Sequence, residues 1–438
     1  MVQCDTRWRP KRYTMSPDIT KHLCETLEEM RTNRNELVAL VQELIRAHPI
    51  YDSPGIALAQ QIAAREMELA GLDVSWVPFD FDQMQQSPQY VDVKAFGGVF
   101  CHYGQADRYS VHGRLTLGEE GPLVVLNGHL DVEFVTEPDQ WSIPGLWASG
   151  LVEFGKIYGR GASDMLGGVA CMLFTLKRLK DRLGKRGSIE VHLVVDEEVG
   201  GNGTLWSLLN AKEKASVAII PEPTNRVVCT DTRGFYQFRI LCHGRSGHMV
   251  FADAYDNAIR VAADVVSCLE DLNTWVGDAC SRPKSRYIMC GEMTGGSDSA
   301  IPAVMAELKV TAILPLTISL DTVLDQLQHI LKMRLLGRCA QIPTIAPYGI
   351  CFPGSTLSDW ALCETIVQNG SSIGQQLGIG SFPSPCDGRH FEAFGIPCVI
   401  FGPGDLKRAH GADEYVTIAE LEEYSYTLAA TLLNLFPP

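Results

Sequence analysis

The chain has 438 residues, of which 46% are hydrophobic and 20% are charged, and its formal net charge is −15. This length favours two domains, and this composition is typical of a folded globular protein and excludes extensive disorder. The negative charge argues against a nucleic acid or an anionic membrane as partner, and no stretch approaches the roughly 18 apolar residues of a membrane-spanning helix.

The N-terminal segment and the cysteines bear on where the protein resides. Residues 1–17 are polar and basic and lack the apolar segment of a secretory signal. The fourteen cysteines are scattered singly, with no CxxC pair. In a chain of this length, such cysteines are typical of small buried residues in a reducing compartment. We therefore expect a cytoplasmic protein.

Helix and strand patterns alternate through the first half of the chain. Apolar residues recur at helical spacing over 33–47 and over 55–70. A longer amphipathic helix is predicted over 164–183, with Ser163 as its cap. This alternation predicts a mostly parallel sheet between helices. The strands are predicted around 72–77, 123–126, 189–195 and 217–220.

The order of elements changes near Thr232. From there the sequence predicts a small α+β domain over 232–342, inserted into a first domain made of residues 1–231 and 343–438. The predicted elements of the insertion are a strand, a helix, two strands and a helix, over 235–241, about 255–272, 287–289, 306–314 and 320–335. The α/β pattern then resumes with a helix near 362–377, a strand from Pro397 and a closing helix over 418–435.

Acids and histidines stand just past the ends of several apolar runs. Ligands of an open α/β sheet bind outside the carboxyl ends of its strands, so these side chains converge if the runs belong to one sheet. Imidazole and carboxylate together suit a hard to borderline metal ion. Two bridged ions would use the whole set. The candidates are His129, Asp131, Asp164, Glu197, Glu198, Glu222 and His410.

Each candidate also has an ordinary explanation. His129 and Asp131 point to the same side of an extended segment, so the histidine could hold a metal while the aspartate accepts from its ring. Asp164 could simply favour the start of its helix through the dipole, and Glu222 could be exposed. The three acids at 196–198 repel one another. Either a bound cation offsets this negative charge, or the acids lie in a loop where solvent screens their repulsion. If one glutamate binds metal, its neighbour is free to take a proton from water, as metal-assisted hydrolysis requires.

Taken together, these segments resemble the M20 metallopeptidase/amidohydrolase family, which includes acetylornithine deacetylase, succinyl-diaminopimelate desuccinylase, aminoacylase and glutamate carboxypeptidase. The resemblance implies a site with two Zn²⁺ ions, for which Co²⁺ or Mn²⁺ are also suitable. It further implies a homodimer formed through the inserted domain. The matching segments are Gly128–Asp131, Gly159–Met165, Asp196–Gly200, Pro221–Thr224 and Gly402–Gly404 through His410.

The same resemblance implies a role for each candidate. One aspartate bridges the two ions, each ion has one histidine and one glutamate of its own, and a further glutamate is the general base. Asp164 is the implied bridge. His129 and Glu222 are implied to bind one ion, and His410 and Glu198 the other. Glu197 is the implied general base. Asp131 is expected to orient the ring of His129.

Three further residues are expected to contact substrate. Arg389 is implied to bind a substrate carboxylate, for which a guanidinium is well suited, and a surface salt bridge is the alternative. His248 is implied to reach the active site of a partner subunit. Ser299 stands where the family has asparagine, and residues 132–134 replace the family's usual apolar residue and proline, so the substrate of this chain is expected to differ.

The sequence therefore predicts an α/β fold with an inserted α+β lid and dimerisation domain. The predicted activity is hydrolysis, by metal-activated water, of the amide bond of an N-acylated amino acid or a related carboxylate-bearing amine, as in a deacetylase or desuccinylase. The alternatives are hydrolysis of a dipeptide or of a non-peptidic C–N bond, and a catalytically silent binding protein. Glu197 argues against the silent protein, because a purely structural site gains nothing from an acid that binds no metal.

Overall fold

The computed structural model describes residues 16–96, 98–104, 108–254, 256–280, 286–357 and 359–438. These residues form an eight-stranded central sheet, a four-stranded second sheet and a small three-stranded sheet. Among the helices of these ranges, none is both long and apolar enough to cross a membrane. The three strands of the small sheet are Leu151–Glu153, Lys156–Tyr158 and Tyr415–Thr417.

The central sheet is mostly parallel, as the sequence predicts. Leu123–His129 lies in its middle and pairs in parallel with Ser188–Val194 and with Val217–Pro223. Cys398–Gly402 pairs in parallel with Val217–Pro223. Every residue of Leu123–His129 is buried, which is typical of a strand covered on both faces. The remaining strands are Asp73–Pro78 and Tyr109–Thr116, which are antiparallel at one edge, and Val227–Cys229 and Gly378–Gly380 at the other.

The helices of this layer include several that the sequence predicts. Arg34–Ala47, Pro54–Leu69 and Ile418–Leu435 lie where their apolar spacing places them. Gly167–Leu179 is buried on nearly all sides and packs against Ile418–Leu435. The helix Pro17–Thr32 was not predicted from the sequence. The other helices outside the second sheet are Phe81–Met84, Asn202–Leu209, Trp360–Ser372 and Gly388–Ala393.

The helix predicted over 164–183 differs from the prediction at its start. The regular helix begins at Gly167, and residues 162–166 form an irregular turn in which Asp164 has φ −119° and ψ 97°. Asp164 is therefore not in the first turn of a helix, and the predictions of a dipole role and of a Ser163 cap are wrong. The physical reason is a distant side chain: Glu414 accepts hydrogen bonds from the main-chain N–H groups of Ser163 and Asp164.

The second sheet is antiparallel and has a buried core of its own, formed with two helices. Its strand Thr344–Phe352 pairs with Gly234–His243, so the sheet continues past residue 342, where the inserted domain was predicted to end. Pro347 interrupts the alternating pattern of that strand, and the pairing register shifts after it. The other strands are Ile288–Gly295 and Met305–Leu314, and the helices are Ala258–Ala279 and Leu320–Leu335. Residue 255, where the first of these helices was predicted to begin, lies outside the described ranges.

Candidate active site

The carboxyl ends of the central strands bring the predicted site residues together. His129 is the last residue of its strand, Glu222 lies near the end of Val217–Pro223, and Glu197 and Glu198 follow Ser188–Val194. A cavity of about 380 Å³ opens at this edge of the sheet. Its lining includes Asp164, Glu197, Glu198, Glu222, Arg389 and His410.

Asp164 lies between two histidines. Its Oδ1 is 3.3 Å from Nε2 of His129, and its Oδ2 is 3.4 Å from Nε2 of His410. Each histidine also faces a glutamate: Glu222 Oε1 is 3.8 Å from the His129 nitrogen, and Glu198 Oε2 is 3.1 Å from the His410 nitrogen. The geometry therefore forms two clusters of ligand atoms that share Asp164.

The ring of His129 is oriented by the main chain. Nδ1 donates a hydrogen bond to the main-chain carbonyl of Asp131, at 2.8 Å, because a carbonyl oxygen can only accept. Nε2 is then the atom that faces Asp164 and Glu222. The Asp131 carboxylate is 3.8 Å from Nδ1, and its other oxygen accepts from the Glu198 N–H at 3.1 Å. Asp131 thus contacts His129 through its carbonyl and holds the Glu198 loop through its carboxylate.

Several carboxyl groups of the site have raised pKa values. Burial, reinforced by neighbouring carboxylates, raises the pKa of Glu222 and of Glu197 well above the usual range. Burial raises the pKa of Asp131 to about 7. The pKa of Asp164 moves the other way: burial raises it, but the hydrogen bonds of the two histidines outweigh burial and hold it below the usual range. The site therefore has more buried negative charge than its own cations offset.

The histidines respond in the opposite direction. The charge of Glu198 is the main cause that raises the pKa of His410, to about 12. Burial opposes the charged form of His129, but the Asp164 hydrogen bond and the charges of Glu222 and Glu197 outweigh it and raise its pKa well above 6.5. Both rings therefore lie where a positive charge is strongly favoured.

The donor atoms fit a pair of divalent metal ions. Ligand atoms of His129, Asp164 and Glu198 lie within 4.8 Å of one another, and so do those of Glu133, Glu198 and His410. Glu198 Oε1 is buried and has no hydrogen-bond partner within the described ranges. Imidazole and carboxylate suit Zn²⁺, Co²⁺ and Mn²⁺. A pair of such ions would supply the positive charge that the site lacks.

Asp196, the first of the three consecutive acids, is not among the residues that line this cavity, although its charge contributes to the raised pKa of Asp131. It is 1% exposed, has φ 69°, and accepts hydrogen bonds from Tyr103 Oη and Arg108 Nη1, each at 2.9 Å. Arg108 is the ion-pair partner of Asp196. Of the three acids, the cavity lining includes Glu197 and Glu198. Arg108 and Tyr103 were not predicted from the sequence, because neither stands in a spacing that marks it as a partner of Asp196.

Arg389 lines the same cavity and is almost fully buried, at 6% exposure. Its Nη2 donates to the Gly200 carbonyl at 2.5 Å, and its guanidinium lies 4.1 Å above the ring of Phe352. Burial lowers its pKa to about 10. In the part of the chain that the structure describes, no carboxylate lies within 4.0 Å of it, so Arg389 is not in a surface salt bridge.

His248 and Ser299 lie outside the cavity of their own chain. Both are exposed. His248 contacts Phe251, with 6.3 Å between the ring centroids, and Ser299 lies in the connection between Ile288–Gly295 and Met305–Leu314. Their roles toward substrate stay predictions.

The cavity has two features that the sequence analysis did not identify. Glu133 lines it, although only Asp131 was singled out from that segment. Since alternate residues of an extended segment share a side, continuing the spacing from His129 and Asp131 by two more residues would have found Glu133. The second sheet contributes an apolar wall, consisting of Phe235, Ile313, Ile350 and Phe352.

Comparison with known proteins adds to this geometry. The model of peptidase family M20/M25/M40 matches residues 125–434. A succinyl-diaminopimelate desuccinylase from Bradyrhizobium sp. (strain BTAi1 / ATCC BAA-1182) is 32% identical over 217 residues, which cover 47% of this chain and 56% of that protein. The chain thus spans about half the length of the curated relatives it matches.

Two solved structures share the fold. A tripeptidase from Staphylococcus aureus subsp. aureus Mu50 has a TM-score of 0.67 at 19% identity, with 92% of this chain and 98% of that chain covered. A dinuclear metal binding peptidase of the M20 family from Bacillus subtilis has a TM-score of 0.57 at 14% identity, with 92% and 98% covered. At these identities the likeness concerns the fold alone.

Proposed function

The chain belongs to peptidase family M20/M25/M40 and is a hydrolase of the peptidase and amidohydrolase type, and from this we propose that it hydrolyses the amide bond of an N-acylated amino acid or a related carboxylate-bearing amine. The observation that carries the proposal is the position of Asp164 between His129 and His410, next to Glu197 and in a cavity that Arg389 also lines. The name of the curated relative, a desuccinylase, supports deacylation.

Two divalent ions, which we propose to be Zn²⁺ with Co²⁺ or Mn²⁺ as substitutes, fit the two clusters of ligand atoms. When bound, they supply Lewis-acid activation of the attacking water and of the scissile carbonyl. The residues that would hold them are His129 and Glu222 in the first position, Glu198 and His410 in the second, and Asp164 in both.

Glu197 is the proposed general base. It lines the cavity, and within the described ranges its carboxylate makes no hydrogen bond or ion pair. Burial, opposed by His129 and reinforced by Asp387, raises its pKa well above the usual range. A free carboxylate of raised pKa is suited to take a proton from the attacking water and to return it to the leaving amine.

Arg389 is the proposed recognition site for the substrate carboxylate. It is a buried cation on the cavity wall. The charges of Asp387 and Glu197 act on it, but within the described ranges neither carboxylate lies within 4.0 Å of its guanidinium. An anionic group of the substrate would therefore be its direct partner. Its place in the same cavity as Glu197 puts carboxylate binding and amide cleavage in one site. This supports an N-acyl amino acid as the substrate.

We also propose a homodimer through the second sheet and a cytoplasmic location. The edge strand Ile288–Gly295 supports the dimer, because Met289 and Met293 are 62% and 50% exposed and its outer edge is unpaired within the described chain. The described cysteines are all free, which supports a reducing compartment. In such a dimer, His248 and Ser299 would face the partner subunit's cavity.

The experiment that tests the proposed function is hydrolysis of a panel of N-acetyl, N-succinyl and N-formyl amino acids and dipeptides. Metal-free protein and protein reconstituted with Zn²⁺ or Mn²⁺ are compared, with Glu197→Gln beside them. We expect turnover that needs metal and is lost in the variant, although the variant still binds metal. Turnover of dipeptides alone would favour a peptidase, and absence of metal binding would overturn the proposal.

A further inference from the structure

Glu133 lies beside the residues proposed to hold the second metal ion. One carboxylate oxygen of Glu133, one of Glu198 and a ring nitrogen of His410 all lie within 4.8 Å of one another. All three side chains line the cavity. A third ligand-bearing side chain thus meets the pair that forms the second position.

The backbone around Glu133 is held in place. Val132 is 2% exposed, its N–H donates to the Pro49 carbonyl at 3.1 Å, and it forms a bridge with Ile50. Because side chains of an extended segment alternate, fixing Val132 in the core directs Glu133 to the opposite side. One oxygen of Glu133 accepts a hydrogen bond from the N–H of Phe134 at 2.7 Å, which leaves the other oxygen available to bind a metal ion.

The charges at this place call for a cation. The Glu198 side chain is 10% exposed, and its Oε1 is buried without a hydrogen-bond partner in the described part of the chain. No lysine or arginine of the described ranges forms an ion pair with Glu133 or Glu198. Two neighbouring carboxylates in a largely buried place are costly unless a cation lies between them. Within the described ranges, His410 is the one side-chain cation whose nitrogen lies within 4.0 Å of either carboxylate, at 3.1 Å from Glu198.

We propose that Glu133 is an additional ligand of the second metal position, beside Glu198, His410 and the shared Asp164. This rests on the proposed function, which requires metal in that position. The two positions then differ, because the second has one more carboxylate than the first. Carboxylate oxygens suit Mn²⁺ better than imidazole nitrogens do. The additional carboxylate therefore shifts the metal preference of the second position from Zn²⁺ toward Mn²⁺.

The test is a titration of metal-free protein with Mn²⁺, in which free Mn²⁺ is measured by electron paramagnetic resonance. His129→Ala removes a ligand of the first position only, so the remaining binding reports the second position. We expect Glu133→Gln to weaken that binding by at least roughly 10–100-fold, the loss typical when a residue that only supports a metal ligand is changed. The same substitution is also made in the chain with His129 intact, where one of two binding phases weakens, in case the double variant does not fold.

The matched control is Glu137→Gln, which removes the same charge from an exposed acid of the same segment. We expect Mn²⁺ binding to be unchanged in this control. Equal weakening in both variants would indicate a general charge effect and overturn the ligand role, as would unchanged affinity in Glu133→Gln. Metal-dependent turnover by the unaltered chain would leave the proposed function standing in either case. Absence of Mn²⁺ and Zn²⁺ binding by the unaltered chain would overturn the proposed function itself.

Discussion

Arg160 and Glu414 form a buried ion pair next to the proposed metal site, with 2.8 Å between Nη1 and Oε2. The other oxygen of Glu414 accepts hydrogen bonds from the N–H groups of Ser163 and Asp164, at 3.0 and 3.2 Å. Arg160 Nη2 donates to the main-chain carbonyl of His410 at 3.0 Å. One ion pair therefore holds the backbone of the shared aspartate and of the histidine of the second position.

Glu414→Gln is expected to weaken metal binding although Glu414 is not one of the proposed metal ligands. The reason is that a loss of the ion pair releases the backbone that positions Asp164 and His410, and losses of this kind typically weaken metal binding by roughly 10–100-fold. The measurement is a Zn²⁺ titration of metal-free protein. The control is Glu423→Gln, whose partner Arg226 is 57% exposed. Within the described ranges the Glu423 carboxylate pairs with Arg226 and accepts no hydrogen bond from the backbone of residues 163, 164 or 410. An equal loss in this control would contradict the prediction.

Tyr103→Phe is expected to lower the free energy of unfolding. Its hydroxyl donates to Asp196 at 2.9 Å and accepts from Asn202 at 3.0 Å. A hydrogen bond to a charged group is worth about 1.5–3 kcal/mol. Tyr424→Phe is the matched control, because its hydroxyl is equally buried and has no hydrogen-bond partner in the described ranges. Urea unfolding of both variants gives the comparison, and similar losses in the two would argue against a structural role of the Asp196 contact.

Arg389→Gln is expected to lower kcat/KM for a carboxylate-bearing substrate. Loss of a charge-assisted hydrogen bond of about 1.5–3 kcal/mol corresponds to roughly 10- to 150-fold. The same substrate with its carboxylate converted to an amide should lose much less, since it cannot pair with the guanidinium. Steady-state kinetics on this substrate pair checks the prediction. Equal losses on both substrates would mean that Arg389 supports the cavity and does not bind the carboxylate.

The buried His112 is expected to make the protein less stable in acid. Its ring stacks on that of His192 at 4.1 Å, and its Nε2 lies 2.9 Å from Ser207 Oγ. Burial, and secondly the charge of His192, lowers the pKa of His112 well below 6.5. The unfolded chain takes up a proton near pH 6.5 and the folded chain does not. The stability from this group is therefore complete above that pH and falls below it, by up to about 1.4 kcal/mol per pH unit.

The check on His112 is the free energy of unfolding between about pH 5 and pH 8, the range in which histidine titrates. His112→Gln should make the decline toward acid shallower than in the unaltered chain. His329→Gln, at an exposed position, should leave the slope as it is. If the unaltered chain and His112→Gln had the same slope, the buried neutral state of His112 would be refuted.

Much of the fold followed from local patterns. The helices Leu320–Leu335 and Ile418–Leu435 have the predicted bounds, because an apolar stripe of helical period needs no distant partner to be recognised. The buried strands Leu123–His129 and Val217–Pro223 were recognised as short apolar runs, which are also a local pattern that needs no distant partner. The strand Thr344–Phe352 was missed because Pro347 breaks its pattern, and only its pairing with Gly234–His243 reveals it.

The sequence by itself determined the mostly parallel sheet and the residue types that follow its strands, because periodicity and the chemistry of single side chains are local properties. Only the tertiary structure decided the conformation of Asp164, which Glu414 holds from a position 250 residues away. It also decided that Asp196 pairs with Arg108, 88 residues away, while Glu197 and Glu198 line the cavity. Such contacts depend on how distant segments pack, and the spacing of residues along the chain carries no record of that packing.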